Sequence, residues 1–593
     1  MISYLEYPFN SQMILRKRKA LRKQLLGESF FREIKIAILG GSTTSEFVNV
    51  LELFFLKLGL SPIFYESDYN KYYEDALFGN KILSSFNPDI IYIHTTHLNV
   101  TNFPSFDATI EEVESLMQIE INKYKNIWKS LEIYSCPIIQ NNFDLPINRS
   151  LGNLDCYDIH GKTLFLNKLN LYFSIETQTN KSLFINDINY LSASVGLNKW
   201  FDKVLWFKAK YAISFDALPY LANNLTNIIA GILGLSKKCL VLDLDNTCWG
   251  GVIGDDGING IKLGNETPEG EAYIAFQKYV KELNERGIIL AVCSKNDIEN
   301  AIEGFKHSDS ILKYSDFTSF YANWQPKYEN IEKIAHDINV DMSSLVFIDD
   351  NAMERNLAKS YLNSLAVPEV GENILNYIDY LEYNGYFSIA RLTVDDVKRN
   401  KFYVENLKRE QEQTVFKNYD EFLISLKMEA EIQSFNDIYL ERITQLINKT
   451  NQFNLTTKRY TILEVESMAN NKNFITLFGR LFDKFGDNGL ISVMIGKIED
   501  GICQIDTWLM SCRVLKRDME LAMFDKFVDE CKKRNLTEII GCYKRTSKNN
   551  MVSNLYPDLG FNLIENSEEE GKWKFDLLNY CNKNLNIKIG KYD

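Results

Sequence analysis

The apolar run Cys239-Leu240-Val241-Leu242 ends in Asp243-Leu244-Asp245-Asn246-Thr247. Two carboxylates one residue apart at the end of a strand can divide the work of phosphoryl transfer. Asp243 attacks phosphorus; Asp245 protonates the leaving group and then takes a proton from water. Three later pieces fit the same chemistry in order. Ser294, after the apolar run Ile288 to Cys293, can join Thr247 in binding the phosphoryl oxygens, and Lys327, in Asn323-Trp-Gln-Pro-Lys327, can neutralise charge on phosphate and nucleophile. Asp349 and Asp350 end the run Leu345 to Ile348, where with Asp243 and the carbonyl of Asp245 they make a hard-oxygen set suited to Mg²⁺. Stabilising developing charge is the main task of such a site. One D-x-D-x-T alone can equally be a solvated turn, but four pieces in order at strand ends cannot be dismissed that way.

The elements that must hold these residues are legible in the pattern of apolar residues. Thr267-Pro268-Glu269 is a helix start with a capping hydroxyl and Pro in the first turn; apolar positions then recur at helical spacing until Gly287, and a strand follows at once. Only 46 residues separate Thr247 from Ser294, and 32 separate Ser294 from Lys327. Neither gap has room for a large cap domain, so an open site is expected. Upstream, Ile34 to Gly40, Pro88 to His94 and Cys136 to Gln140 read as strands, with a helix from about 45 to 58, which suggests a parallel sheet wrapped by helices. Residues 376–425 are charged and helical, a connector with a solvated face, and the remainder mixes helices with antiparallel strands.

Composition bounds the answer. At 593 residues the chain exceeds one core. The expected division is 1–232, 233–375, 376–425 and 426–593. With 79 acids against 66 bases and a net charge of -13, general binding to nucleic acid is not expected. No apolar run reaches the roughly 18 to 20 residues of a membrane helix, and no leader-like segment opens the chain. A cytoplasmic location with no membrane partner is expected. The ten cysteines stand singly, without C-x-x-C pairs, so neither a disulfide framework nor a zinc site is indicated.

The four strand-end pieces are the pattern of the haloacid dehalogenase (HAD) superfamily. The longer text Asp243-Leu-Asp-Asn-Thr-Cys-Trp-Gly-Gly-Val-Ile-Gly254, with Ala291-Val-Cys-Ser-Lys-Asn-Asp297, Ala322-Asn-Trp-Gln-Pro-Lys327 and Phe347-Ile-Asp-Asp-Asn351, is narrower and resembles the FkbH-like family. The likeness continues through Gln445 to Thr457 and Trp508 to Leu515. It implies an α/β multidomain chain: an SGNH-like (flavodoxin-like) α/β domain, a Rossmann-like HAD domain without a large cap, and an α+β domain like the GNAT acyltransferases. It also implies a glyceryl transferase and phosphatase that captures the glyceryl group of 1,3-bisphosphoglycerate, dephosphorylates it and loads it as a thioester on the phosphopantetheine arm of an acyl carrier protein. Passage of an acyl phosphate's acyl group through the enzyme calls for a thiolate. Cys293, beside Ser294, is the first candidate, ahead of Cys248 and Cys512.

The flanking domains carry weaker signals. Arg513-Val-Leu-Lys-Arg-Asp518 stands where a GNAT pyrophosphate loop has glycines; with Lys516 and Asp518 in those positions, coenzyme A binding of the usual kind is not expected. Gly40-Gly41-Ser42 resembles the first block of SGNH hydrolases, but no D-x-x-H follows late in that domain: Asp158-Ile-His160 has the wrong spacing, and His94 and His97 belong to the wrong strand. An inactive α/β domain is expected there. Competing functions are a plain Mg²⁺-dependent phosphatase on a sugar phosphate or phosphoprotein, an acyltransferase of surface polysaccharide synthesis, and an assembly protein.

Overall fold

A computed structural model describes residues 2–27, 32–546, 548–578 and 580–590. The chain forms two compact units, Met1–Ile232 with Tyr383–Ala390, and Leu233–Glu382 with Arg391–Asp593.

In the first unit, β1 (Arg32–Gly40), β2 (Leu60–Glu66), β3 (Ile90–His94), β4 (Ile138–Asn141) and β5 (Leu183–Asn186) form one parallel sheet in the order β2-β1-β3-β4-β5. The sequence predicts β1, β3 and β4 but not β2 or β5. β2 sits on an edge, half exposed and carrying Pro62, which an edge tolerates because no ladder N–H is missed; β5 has only four residues. The helix Ile110–Leu131 opens on a capping box between Thr109 and Glu112 and buries Ile121, Tyr124, Ile127, Trp128 and Leu131. Residues Tyr383–Ala390, expected in the connector, complete this unit instead. Tyr7 N donates to Asn384 Oδ1 (2.9 Å), and Asn223 Nδ2 to the Tyr383 carbonyl (2.5 Å).

The second unit holds two sheets. Strands β6 (Cys239–Leu242), β7 (Ile289–Ser294), β8 (Phe317–Ala322) and β9 (Leu345–Ile348) are parallel in the order β8-β7-β6-β9. The helix Pro268–Glu285 is capped by Thr267, whose Oγ1 accepts from Gly270 N at 3.0 Å. Between β6 and β7 there is only a loop with one short helix (Ile253–Asp256) before this capped helix, so no cap domain is present there.

The other sheet has nine strands: β10 (Met428–Gln433), β11 (Phe453–Asn454), β12 (Phe474–Asp483), β13 (Gly486–Glu499), β14 (Ile502–Met510), β15 (Glu538–Lys544), β16 (Asn562–Asn566), β17 (Glu570–Asp576) and β18 (Ile587–Ile589). The helix Met519–Lys533 packs Phe524, Phe527 and Val528 into a large apolar core against this sheet. β14 and β15 pair in parallel over Ile502 to Ile505 and Glu538 to Gly541, and then diverge. The fork between them is filled by the chain itself: β11 pairs with the end of β14, Leu455 N donates to the Trp508 carbonyl (3.1 Å), and Lys544 N donates to the Leu455 carbonyl (2.8 Å).

The connector's charges are not all solvated, contrary to the expectation from sequence. On the helix Arg399–Gln413, Arg409 is 1% exposed and grips Asp483 of β12 through two hydrogen bonds of 2.7 and 2.8 Å. Burial pushes the Asp483 carboxyl up, but the hydrogen bonds and charge of Arg409 outweigh it and hold it below the usual range. Losing the guanidinium leaves the buried carboxylate with only the longer ion pair to Arg517 (3.6 Å), so Arg409→Leu is expected to cost about 3–5 kcal/mol in urea unfolding of the second unit. Because the folded-state value is depressed, the Asp483 contribution is complete above the unfolded carboxyl pKa of about 3.9 and is lost as pH falls through the folded value. Asp483→Asn should flatten that acid-side loss.

Candidate active site

The site lies at the carboxyl ends of β6, β7 and β9, the edge where parallel sheets present their loops to ligands. Asp243 follows β6 and donates its N–H to the Ile348 carbonyl (3.0 Å), which fixes it beside Asp349. Lys327 starts the helix Lys327–Asp337 and reaches both, with Nζ 2.8 Å from Asp243 Oδ2 and 2.5 Å from Asp349 Oδ2. Burial works to lower the Lys327 pKa, but the two carboxylates outweigh it and keep the ammonium protonated. The cost of burying it is met by this pairing.

One lysine does not balance the carboxylates. Oxygens of Asp243, Asp349 and Asp350 lie within 4.8 Å of one another. Burial, then the charge of Asp243, pushes Asp349 up to about 7 and Asp350 to about 6. Asp243 Oδ1 is buried with no hydrogen-bond partner. Converging hard oxygens with excess negative charge and an orphaned buried oxygen fit a divalent cation of the Mg²⁺ type. The loop is fixed from behind: Arg355 Nη1 donates to the carbonyls of Asp349 (2.8 Å) and Asp350 (2.7 Å), and Asn351 N donates to Asp349 Oδ1 (2.8 Å).

Asp245 points elsewhere. Its carboxylate is not one of the three; Oδ1 accepts from Trp249 Nε1 (2.9 Å) and Ile253 N (3.0 Å), and Oδ2 from Asn296 Nδ2 (3.0 Å). Burial raises it above the usual carboxylate range against the donors Ile253 and Trp249. A half-buried carboxyl, raised in pKa and separate from the nucleophile, has the properties of an acid and base. Trp249 is wedged against Gly304, where a Cβ would come within 2.5 Å of the indole, and against Phe305 at 5.2 Å. Trp249 and Asn296 are therefore functional neighbours that the motif reading missed, although both lie inside the quoted motifs. Ser294 and Thr247 are buried in the same strand-end layer, Thr247 Oγ1 without a partner. At the exposed rim, Trp324 Nε1 donates to Asp297 Oδ1 (3.0 Å).

Cys293 does not serve as the expected thiolate. It is fully buried in the apolar core, with its thiol turned to the Lys327 carbonyl at 3.5 Å, and burial pushes its pKa up. Successive strand residues point to opposite faces, so a site served by Ser294 sends Cys293 the other way. Cys248 is buried too, its thiol donating to the Asp243 carbonyl (3.3 Å). Cys512 is half-buried, in the turn after β14.

The flanking motifs are also placed. Lys516 (φ 63°) and Asp518 (φ 59°) adopt the left-handed backbone that glycine would favour, so the turn persists without glycines. Asp518 accepts from Asn586 Nδ2 (2.7 Å) and puts a carboxylate at the start of the helix Met519–Lys533. In the first unit Ser42 is buried and its Oγ has no hydrogen-bond partner, so it is not joined to any histidine. His97 is held by Asp144 (2.8 Å), which also accepts from Trp200 Nε1 (3.0 Å); His160 is held by Asp158 (2.7 Å). His94 is buried among Tyr92 and Asn141, and burial lowers it to about 4. No helix of the described residues is long and apolar enough to cross a membrane.

Residues 35–230 match the family described as FkbH, N-terminal domain. Among solved structures, the N-terminal part of a Bacteroides fragilis protein containing a phosphatase domain, complexed with Mg, is 29% identical, covers 64% of this chain and 99% of its own, and has a TM-score of 0.58. The ribosomal-protein-S18-alanine N-acetyltransferase of Escherichia coli matches 26% of the chain and 98% of its own at 13% identity. An acetyltransferase of the GNAT family from Staphylococcus aureus matches 25% and 99% at 12%. Both have TM-scores of 0.21, likenesses too slight to carry a conclusion. No curated protein matches the chain.

If Trp249 and Asn296 hold Asp245 in its working orientation, Trp249→Phe and Asn296→Ala should each lower kcat for hydrolysis of a phosphate monoester by about 10- to 100-fold while KM changes little. Steady-state kinetics with saturating Mg²⁺ measures this, and Asn296→Asp, which cannot donate when ionised, should not rescue.

Proposed function

We propose, from the match of residues 35–230 to the FkbH N-terminal domain and the likeness to a solved phosphatase-domain structure, that the chain is a member of the FkbH-like family and a Mg²⁺-dependent enzyme that removes the phosphate of a 3-phosphoglyceryl group through Asp243. We further propose that it transfers the glyceryl group of 1,3-bisphosphoglycerate to an acyl carrier protein as a thioester. The observation that carries the reading is the lysine bridge between Asp243 and Asp349, with Asp350 alongside and Asp245 held apart. That arrangement separates nucleophile from acid and base.

Lys327 keeps the Asp243 carboxylate ionised, and one carboxylate oxygen attacks phosphorus. The phosphorus–oxygen ester bond breaks as the Asp243–phosphorus bond forms, and Asp245 gives its proton to the departing alkoxide. Asp245, now ionised, takes a proton from water as that water attacks the aspartyl phosphate and restores Asp243. Mg²⁺, which Asp243, Asp349 and Asp350 would hold, supplies shielding of the phosphoryl charge. Ser294 and Thr247 are assigned to the phosphoryl oxygens.

Burial of Cys293 and Cys248 favours direct transfer to the carrier. The carrier's thiolate attacks the acyl carbonyl, the bond from that carbon to the 1-phosphate oxygen breaks, and the phosphate departs with the electron pair. The reading places the protein in the cytoplasm, with a carrier protein and a small acyl phosphate as partners.

The test is to incubate the full chain with Mg²⁺, enzymatically generated 1,3-bisphosphoglycerate and a holo carrier protein, and to weigh the carrier. A glyceryl mass shift is expected. Asp243→Asn should yield a carrier that retains phosphate, a further 80 Da or so that marks the unremoved group. Cys293→Ala should still load the carrier. Phosphate release without carrier acylation would leave only the plain phosphatase, and loss of loading in Cys293→Ala would return that thiol to the mechanism. Removing Mg²⁺ with EDTA should abolish the dephosphorylation.

A further inference from the structure

Asp243 is 6% exposed, with Asp349 and Lys327 buried beside it, too little surface for a folded protein to reach. A phosphoryl group borne by a carrier must therefore enter while the carrier stays outside, and whatever joins the two crosses the rim. One rim residue is unlike the rest of its kind. Of the seven tryptophans of the chain, Trp324 alone is exposed, at 70%. An indole left in water forgoes the burial that ordinarily holds such a ring.

Polar contacts hold this one instead. Trp324 Nε1 donates to Asp297 Oδ1 (3.0 Å). The backbone beside it is fixed as well: Asn323 N donates to the Ser294 carbonyl (3.1 Å), and Asn323 Oδ1 accepts from Gln325 N (3.0 Å) and Asn330 Nδ2 (2.8 Å). The ring is thus tied to the turn from Ser294 to Asp297, which also carries Asn296, the partner of Asp245. It stands shortly before Lys327, the lysine between Asp243 and Asp349. The other strand-end loops each add an exposed apolar side chain to this edge, Val252 after β6, Ile298 after β7 and Met353 after β9. A hydrogen bond between two loops needs only a donor, which a smaller polar residue supplies without exposing a ring.

Given the carrier-borne substrate proposed above, on which this assignment depends, we propose that Trp324 is the contact for the phosphopantetheine arm and sets a preference for thioesters on that arm. The arm is an extended chain in which planar amides alternate with apolar carbons, and the face of an indole suits both. Fixing the ring before the arm arrives lowers the entropic cost of ordering it. The contact is remote from phosphorus, so it acts by placing the ester at Asp243.

The full-length protein with Mg²⁺ is assayed for phosphate release from three thioesters of 3-phosphoglycerate: on a holo carrier protein, on pantetheine and on a methyl group. The wild type is expected to favour the pantetheine over the methyl thioester in kcat/KM by about tenfold or more. In Trp324→Ala that ratio should fall to within about twofold of unity, with a matching loss on the carrier-borne ester. Trp324→Phe, which keeps a ring, should keep most of the preference. A disturbance of Asp245 through the shared turn would slow both small esters alike and cancels in the ratio. Should Trp324→Ala fail to fold by circular dichroism, Trp324→Gln, which retains an N–H for Asp297, serves instead. The proposal is overturned by a wild type that shows no preference for the arm, or by an unchanged ratio in the folded variant. A loss confined to the carrier-borne ester also overturns it, since that would set Trp324 against the carrier's surface. A wild type that releases phosphate from none of the three overturns the carrier reading itself, and this assignment with it.

Discussion

The bridge from Lys327 to Asp243 and Asp349 is the constraint on which the active site depends. An ammonium and two carboxylates, all almost out of contact with water, can stay ionised only while each faces the other. This requires β6 and β9 to be neighbours in register, so that their last residues bring Asp243 and Asp349 side by side, and it requires the helix Lys327–Asp337 to begin at that edge. The short strands satisfy the first condition, since Leu242 pairs with Ile348. Arg355 meets a different demand, tying down two carbonyls that would otherwise let the Asp349–Asp350 turn drift. The carboxylates in excess of one lysine are what a divalent cation would balance.

The nine-stranded layer tells a contrasting story. Its diverging strands β14 and β15 would leave backbone groups unpaired, and the segment from Phe453 to Leu455 closes that gap from within. The following turn keeps a left-handed backbone at Lys516 and Asp518 although neither residue favours it. Hydrogen bonds hold it there, from Tyr419 to the Lys516 carbonyl and from Asn586 to Asp518. The turn thus has a backbone shape that glycine would favour while carrying side chains that glycine lacks.

Much of the candidate site's placement was legible because phosphoryl chemistry would call for particular residue types and the strands that carry them are uninterrupted apolar runs. Asp243, Ser294, Lys327 and Asp349 all emerged from that coincidence. Trp249 and Asn296 did not, since their role is a hydrogen bond to Asp245 across 4 and 51 residues of chain, which periodicity does not encode. Cys293 was misjudged by adjacency: neighbours on a strand face opposite ways, and the alternation was available in the sequence. β8, lying on the edge of its sheet, escaped because Phe317-Thr-Ser-Phe-Tyr-Ala alternates poorly. The connector's charges read as solvated because nothing local distinguishes Arg409, which is buried against Asp483, from the lysines around it.

The return of Tyr383–Ala390 to the first unit also sets an order in time. Tyr383 stacks on Tyr7 with ring centres 4.4 Å apart, and Gly385 passes so close to Asn227 that a Cβ would sit 1.9 Å from its amide nitrogen. A ribosome delivers the chain from the amino end, and domains ordinarily fold as they emerge. Here the first unit cannot be finished until its last eight residues follow, by which point β6 to β9 have already been synthesised. The four-stranded sheet with its carboxylate centre is therefore inserted into a fold still awaiting its final piece, and the two units complete their assembly as interleaved rather than successive events.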